Sequence, residues 1–100
     1  MIAVIFEVEP HPAGRDEYFA LAASLAADLQ QVDGFISIER YQSVTDPGRL
    51  LSLSLWRDEA AIEAWRSHPP HRVAQARGNA ELFRQWRIRV ARVLRERESR

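Results

Sequence analysis

An apolar strand that runs directly into a capped helix limits the folds open to this chain. In Leu50–Trp56, three leucines at positions 51, 53 and 55 alternate with Ser52, Ser54 and Trp56, which is typical of a strand with two different faces. Asp58 is a favoured N-cap residue, and the apolar residues behind it recur at helical spacing as far as Trp65. The segment therefore predicts a strand followed by a helix that ends near Ser67.

The rest of the chain places this unit in a longer order of elements. Pro69 and Pro70 end the helix and can open a second helical segment over residues 71–77, which closes at Gly78 and Asn79. Asp33 and Gly34 end an earlier amphipathic helix. That helix is predicted over residues 16–31, and strands are predicted over residues 1–9, 35–44 and from 86 onward, with a bulge near Val90.

This order is β-α-β-β-α-β, the signature of the ferredoxin-like unit. The predicted fold class is α+β, with a four-stranded antiparallel sheet that carries both helices on one face. The other face should be polar in a monomer, yet the first three strands carry large apolar residues on both phases, for example Ile5 opposite Phe6 and Trp56 opposite Leu55. We therefore predict a homodimer formed by stacking two sheets.

Length and composition exclude several classes of protein. A chain of 100 residues can close one hydrophobic core, so we expect a single domain over residues 1–100. No stretch approaches the roughly 20 apolar residues of a membrane span, and the first residues lack the features of a signal peptide. We expect a cytoplasmic protein that does not bind a membrane. The absence of cysteine excludes disulfides and thiolate metal sites.

The two halves of the chain differ in charge. Residues 1–64 carry eleven acids and four arginines, whereas residues 65–100 carry ten arginines and three acids. A basic half can indicate nucleic-acid binding. The arginines are spread over strand and helix, however, and the acidic half would repel phosphate, so we expect no nucleic-acid partner.

One resemblance covers nearly the whole chain. The passage from Leu53 to Ala60, the residues Ala64 to Ser67 and the segment Pro69 to Arg72 resemble the antibiotic biosynthesis monooxygenase family. The resemblance implies a dimeric α/β barrel made of two ferredoxin-like subunits. It implies three classes of activity: cofactor-free quinone-forming monooxygenation, haem binding or degradation, or no turnover.

The resemblance also suggests roles for aromatic residues. Trp65 matches a tryptophan that lines the substrate cavity in the family, whereas its position on a buried helix face is equally that of a core residue. We expect Trp56 at the dimer interface or against substrate, and Tyr41 in contact with substrate. In haem-degrading relatives an asparagine is implied on the first strand, where this chain has Glu7, and a later histidine than His71.

The basic and polar candidates cluster around the two prolines. His68 and His71 flank Pro69 and Pro70, but the prolines spoil the geometry that would bring both rings to one metal, so we expect no metal site. A single histidine can act as a general base or as a haem ligand, and the alternative is an ordinary surface residue. His11, in a proline-rich loop, is expected to have no catalytic role.

These observations lead to one functional hypothesis and two alternatives. We expect a cofactor-independent monooxygenase of a small aromatic or quinol substrate, with His71, Trp65 and Arg72 as catalytic residues and Tyr41, Trp56 and His68 as substrate contacts. The first alternative is a non-catalytic dimer that binds haem or another hydrophobic ligand. The second is a regulatory dimer without turnover.

Overall fold

A computed structural model describes residues 1–77 and 82–99, apart from the side chains of His71 and Gln75. The described strands are β1 (Ile2–Pro10), β2 (Phe35–Gln42), β3 (Leu50–Trp56) and β4 (Phe83–Arg92). The helices are α1 (Arg15–Ser24), α2 (Ala26–Gln30), α3 (Glu59–Arg66) and α4 (Pro69–Arg77), with a short 3-10 turn at Pro12–Gly14. None of these helices is long and apolar enough to cross a membrane.

The four strands form one antiparallel sheet in the order β2-β3-β1-β4. The first strand therefore lies in the interior of the sheet, between β3 and the last strand. This arrangement confirms the predicted ferredoxin-like α+β fold.

The predicted first helix is divided in two. The α-helical hydrogen-bond pattern is interrupted at Leu25, whose N–H bonds to the carbonyl of Ala22 rather than to that of Leu21. The Ser24 hydroxyl donates to the Leu21 carbonyl at 2.7 Å and so occupies that acceptor. A serine that bonds back to the preceding turn disturbs a helix in this way.

The last strand differs from its prediction in where it begins and in where its register shifts. It begins at Phe83, and its pairing with β1 is regular from Ile2–Arg92 to Glu9–Gln85. The prediction of a bulge near Val90 was wrong, since the register shifts between Glu9 and Pro10 instead. Arg92 lies on the apolar phase without a bulge because this edge strand is exposed, so the arginine loses no contact with water.

Two further boundaries move by two residues. The second strand ends at Gln42 rather than residue 44, leaving Val44 96% exposed in the hairpin loop. The last helix begins at Pro69 rather than His71, because proline is tolerated throughout a first helical turn. Its predicted end at Gly78 and Asn79 lies outside the described residues.

The helices cover the face of the sheet that carries the serines. Leu50, Ser52, Ser54 and Trp56 are buried, whereas the leucines at 51, 53 and 55 lie on the open face and are only half-buried. Trp56 was expected at a dimer interface, but it is 2% exposed beneath the helices. Its Nε1 donates to Ser54 Oγ at 2.9 Å, so the covered face satisfies the polar atom of this large ring.

The covered core consists of two clusters. Leu29, Trp56, Ala61 and Trp65 form the first, which we call the tryptophan cluster. Val8, Tyr18 and Leu50 form the second, the tyrosine cluster, against which Phe6 and Phe83 pack.

Gly34 allows α3 to approach the sheet. It has φ +92°, and a Cβ atom at this position would lie 2.7 Å from the Ala61 Cβ. Its carbonyl accepts the Arg57 N–H at 2.7 Å, and the Arg57 guanidinium bonds both carboxylate oxygens of Asp33 at 3.2 Å. The turn before β2 is thereby tied to the residue that follows β3.

We expect Gly34→Ala to lower the free energy of unfolding by about 2 to 4 kcal/mol, because it adds left-handed backbone strain and a steric clash with Ala61. Gly48→Ala is the matched control, since a Cβ there meets only Asp46 Oδ1 at 3.5 Å. The control should change stability by less than about 0.5 kcal/mol. Urea unfolding of both variants measures the difference, and equal losses would contradict the close approach.

Candidate functional site

Trp65 is positioned by the cap of its helix. The Asp58 side chain accepts the Ala61 N–H at 3.0 Å, and this bond starts α3. Ala61 and Trp65, one turn apart, then face the sheet and are 3% and 7% exposed. Hydrogen bonds from the Ala61 N–H and from Arg57 lower the pKa of Asp58, so the cap is charged at neutral pH.

His68 lies directly against Trp65. The two rings stack with centroids 5.4 Å apart and an angle of 22° between their planes. The His68 Nε2 atom is buried and has no hydrogen-bond partner among the described residues. Asp28 Oδ1, on α2, lies 3.8 Å away, too far for a hydrogen bond but close enough to stabilise a positive charge on the imidazole.

The His68 side chain is nevertheless 36% exposed. One edge of the imidazole therefore faces Asp28 and the protein, while part of the ring remains accessible. An imidazole in this position can act as a general base or acid. Trp65, His68 and Asp28 form a small group that we call the Trp65–His68 site.

Sequence reasoning missed Asp28. It lies 40 positions before His68 and occupies the first turn of α2, where an acid is explained by the helix dipole alone. No local motif joins the two residues, because only packing of α2 beside the start of α4 brings them together. The one signal available in the sequence was that Asp28 interrupts an alanine-rich stretch just before Leu29.

The other predicted site residues are not all assembled here. Arg72 is exposed on α4, and its backbone N–H bonds to the His68 carbonyl. Trp56 belongs to the tryptophan cluster with Trp65. The His71 side chain lies outside the described residues, so its predicted catalytic role stays a prediction.

Tyr41 lies on the opposite face of the sheet. It pairs with Leu51 in the register of β2 and β3, and both residues belong to the open face. Its hydroxyl donates to Glu39 at 3.2 Å, and this bond raises the pKa of Tyr41. The sheet therefore separates Tyr41 from the Trp65–His68 site.

The described residues are a poor fit for haem. The Nε2 atom of His68 faces Asp28, and the imidazole ring lies flat on Trp65. In this position Nε2 is not presented to a haem iron. Among the side chains that the structure describes, which exclude that of His71, no three histidine or acidic groups converge on a point that could hold a metal ion. We therefore derive no chemistry through haem.

Comparison with known proteins gives close relatives over most of the chain. The profile of the family described as antibiotic biosynthesis monooxygenase matches residues 1–77. A Pyricularia oryzae protein named Jasmonate monooxygenase ABM is 43% identical over 93 residues, covering 93% of this chain and 43% of that protein. The chain thus spans less than half of the fungal relative. YqjZ of Bacillus subtilis is 33% identical over 97 residues, covering 95% of this chain and 81% of YqjZ.

Solved structures show the same fold. Rv0793 from Mycobacterium tuberculosis has a TM-score of 0.86 at 26% identity, covering 97% of this chain and 98% of that one. A structure described as an antibiotic biosynthesis monooxygenase has a TM-score of 0.81 at 18% identity, covering 95% and 100%. The family profile, both relatives and the shared β-α-β-β-α-β architecture agree, and the chain belongs to the antibiotic biosynthesis monooxygenase family.

Proposed function

We propose that this protein is a homodimeric monooxygenase that oxidises a small aromatic or quinol compound without a bound cofactor. The observation that carries the proposal is the Trp65–His68 stack beside Asp28 in a chain of this family. In this stack a partly exposed imidazole, which can act as a base, lies against a buried aromatic ring. The name of the fungal relative supports oxygenase chemistry, and jasmonate is one compound to test.

The proposed chemistry begins with removal of a proton. A phenol or hydroquinone becomes electron-rich enough to react with dioxygen once it is deprotonated, and His68 is the base among the described residues that is best placed for this. Asp28, 3.8 Å from Nε2, favours the imidazolium that forms. The substrate itself supplies the electrons that reduce dioxygen, so one oxygen atom enters the substrate and the other leaves as water.

Trp65 supplies apolar surface rather than acid-base chemistry. Its ring is 7% exposed and is held by Leu29 and Trp56, so it cannot turn away from a ligand beside His68. A dry aromatic wall next to the base would keep water from the substrate anion. This role and the core role predicted for Trp65 are compatible in one side chain.

The open face of the sheet supports the homodimer. Ile5, Leu51, Leu53 and Leu55 lie together there and stay half-buried, and none of the described helices covers them. Apolar residues in this number on a strand face are normally covered by a partner. A second copy presents the same self-complementary face, which is the requirement for a two-fold dimer.

The dimer can be tested with one substitution on this face. Sedimentation of the native chain should give twice the 11.5 kDa of one copy, and Leu53→Glu should give 11.5 kDa because it places a charge within the proposed interface. Val44→Glu is the control, since Val44 is 96% exposed in a loop. A native chain that stays monomeric at micromolar concentration contradicts the proposal.

Trp65 can be tested by separating stability from turnover. Trp65→Ala should cost about 3 to 5 kcal/mol of unfolding free energy because the ring is buried. Trp65→Phe should keep the fold while weakening substrate binding, whereas Trp86→Phe, at a site 46% exposed, should change neither. Unchanged substrate affinity in Trp65→Phe would leave Trp65 as a core residue only.

The base can be identified by comparing three histidines. Oxygen uptake with a panel of hydroquinones and jasmonate should fall by about 10² or more in His68→Gln, the usual contribution of a general base, and stay native in the exposed His11→Gln. Asp28→Asn should lower oxygen uptake by a smaller factor than His68→Gln does. Native activity in His68→Gln with a loss in His71→Gln would make His71 the base, as the sequence predicts.

The native protein and the same histidine variants also distinguish catalytic turnover from haem binding. Titration with haem should give no sharp Soret band. A stoichiometric Soret band that is lost in His68→Gln or His71→Gln, without oxygen uptake on any substrate, would overturn the monooxygenase proposal in favour of a haem-binding dimer.

A further inference from the structure

A pocket lies beside the tyrosine cluster, at the end of the covered face away from Trp65 and His68. It has a volume of 210 Å³ and lies between α1 and the ends of β2 and β3. Tyr18 and Leu50, which belong to the tyrosine cluster, form its walls together with Phe19. Tyr41 and Leu51, which belong to the open face of the sheet, also line it. Trp65 and His68 do not line it, so this pocket is separate from the Trp65–His68 site.

Two arginines line the pocket without a carboxylate partner. Arg15 donates to the Pro47 carbonyl at 3.1 Å and lies over the Phe19 ring at 5.6 Å. Within the described part of the chain, neither Arg15 nor Arg40 forms an ion pair. Arg84, Arg87 and Arg89 of β4, in contrast, pair with Glu7 or Glu9. The pocket therefore carries a local positive charge that the protein leaves unbalanced.

A hydroxyl group lies beside these cations. Tyr18 is 8% exposed, and burial raises the pKa of its hydroxyl, although the neighbouring Arg40 opposes the increase. The hydroxyl is consequently protonated at neutral pH and can donate a hydrogen bond. Gln42 holds the hairpin loop in place, because its Nε2 donates to the same Pro47 carbonyl at 2.8 Å. Loop and helix are thus joined across the pocket.

We propose that this pocket binds the carboxylate of a small organic acid whose apolar body packs against Phe19 and Leu50. Two guanidinium groups and a hydroxyl suit a carboxylate, since arginine binds planar anions through paired hydrogen bonds. The volume is below the roughly 300 Å³ at which pockets for drug-sized ligands begin, so the occupant has about one ring. The binding does not depend on the monooxygenase activity.

Benzoate and benzamide are the matched probes, because they share a ring and differ in charge. Titration of the native protein, followed by amide NMR shifts, should show saturable shifts around Arg15, Tyr18 and Gln42 with benzoate, and at least tenfold weaker binding of benzamide. Arg40→Gln and Arg15→Gln should each weaken benzoate binding about tenfold or more, since each removes a charge-assisted bond.

Arg66→Gln is the control variant, because Arg66 is exposed on α3 and pairs with Glu63. It should bind benzoate with native affinity, and thermal melts confirm that all variants fold. Equal binding of the two probes, or native benzoate affinity in both Arg40→Gln and Arg15→Gln, overturns the site. Inorganic phosphate that binds as tightly as benzoate also overturns it, because the apolar walls would then contribute nothing.

Discussion

The contact between α3 and the sheet determines where the Trp65–His68 site lies. Ala61 and Trp65 pack onto Trp56 and Leu29, and the absence of a side chain at Gly34 gives Ala61 the space to do so. Asp58 starts the helix, so its buried face is in phase with the sheet from the first turn. The end of α3 then carries His68 onto the Trp65 ring. A shift of this helix would separate His68 from both Trp65 and Asp28.

The two faces of the sheet have unexpected compositions. In β3 the serines lie under the helices and the leucines lie outside, although leucine gains more from burial. Large rings explain this arrangement, because Trp56 and Trp65 fill the covered layer and leave room for small neighbours. Ser54 also accepts the Trp56 N–H. The leucines on the open face then become the strongest argument for a second copy of the chain.

The charge difference between the two halves of the chain is resolved by sheet topology. Because β1 lies beside β4, the acids of the first strand meet the arginines of the last: Glu7 contacts Arg87 and Arg89, and Glu9 contacts Arg84. These contacts lower the pKa of Glu7. Three of the ten arginines in the basic half are therefore paired within the sheet. Among the described residues, neither arginine of the small pocket has an ion pair of this kind.

The sequence by itself determined the order of elements, and with it the fold. The alternation in Leu50–Trp56, the cap at Asp58 and the helix end at Gly34 are local signals, because a strand period, an N-cap and a left-handed turn each depend on only a few neighbouring residues. The same locality explains why Trp65 was recognised as a buried residue on the helix face.

Only the tertiary structure decided which residues meet. Alternation separates the leucines of β3 from its serines but does not say which set the helices cover, so Trp56 was assigned to the wrong face. Asp28 meets His68 across a long stretch of chain, and Arg15 and Tyr18 of α1 line the same pocket as Arg40 of β2. Packing of helices onto the sheet sets such distances, and no local pattern in the sequence encodes them.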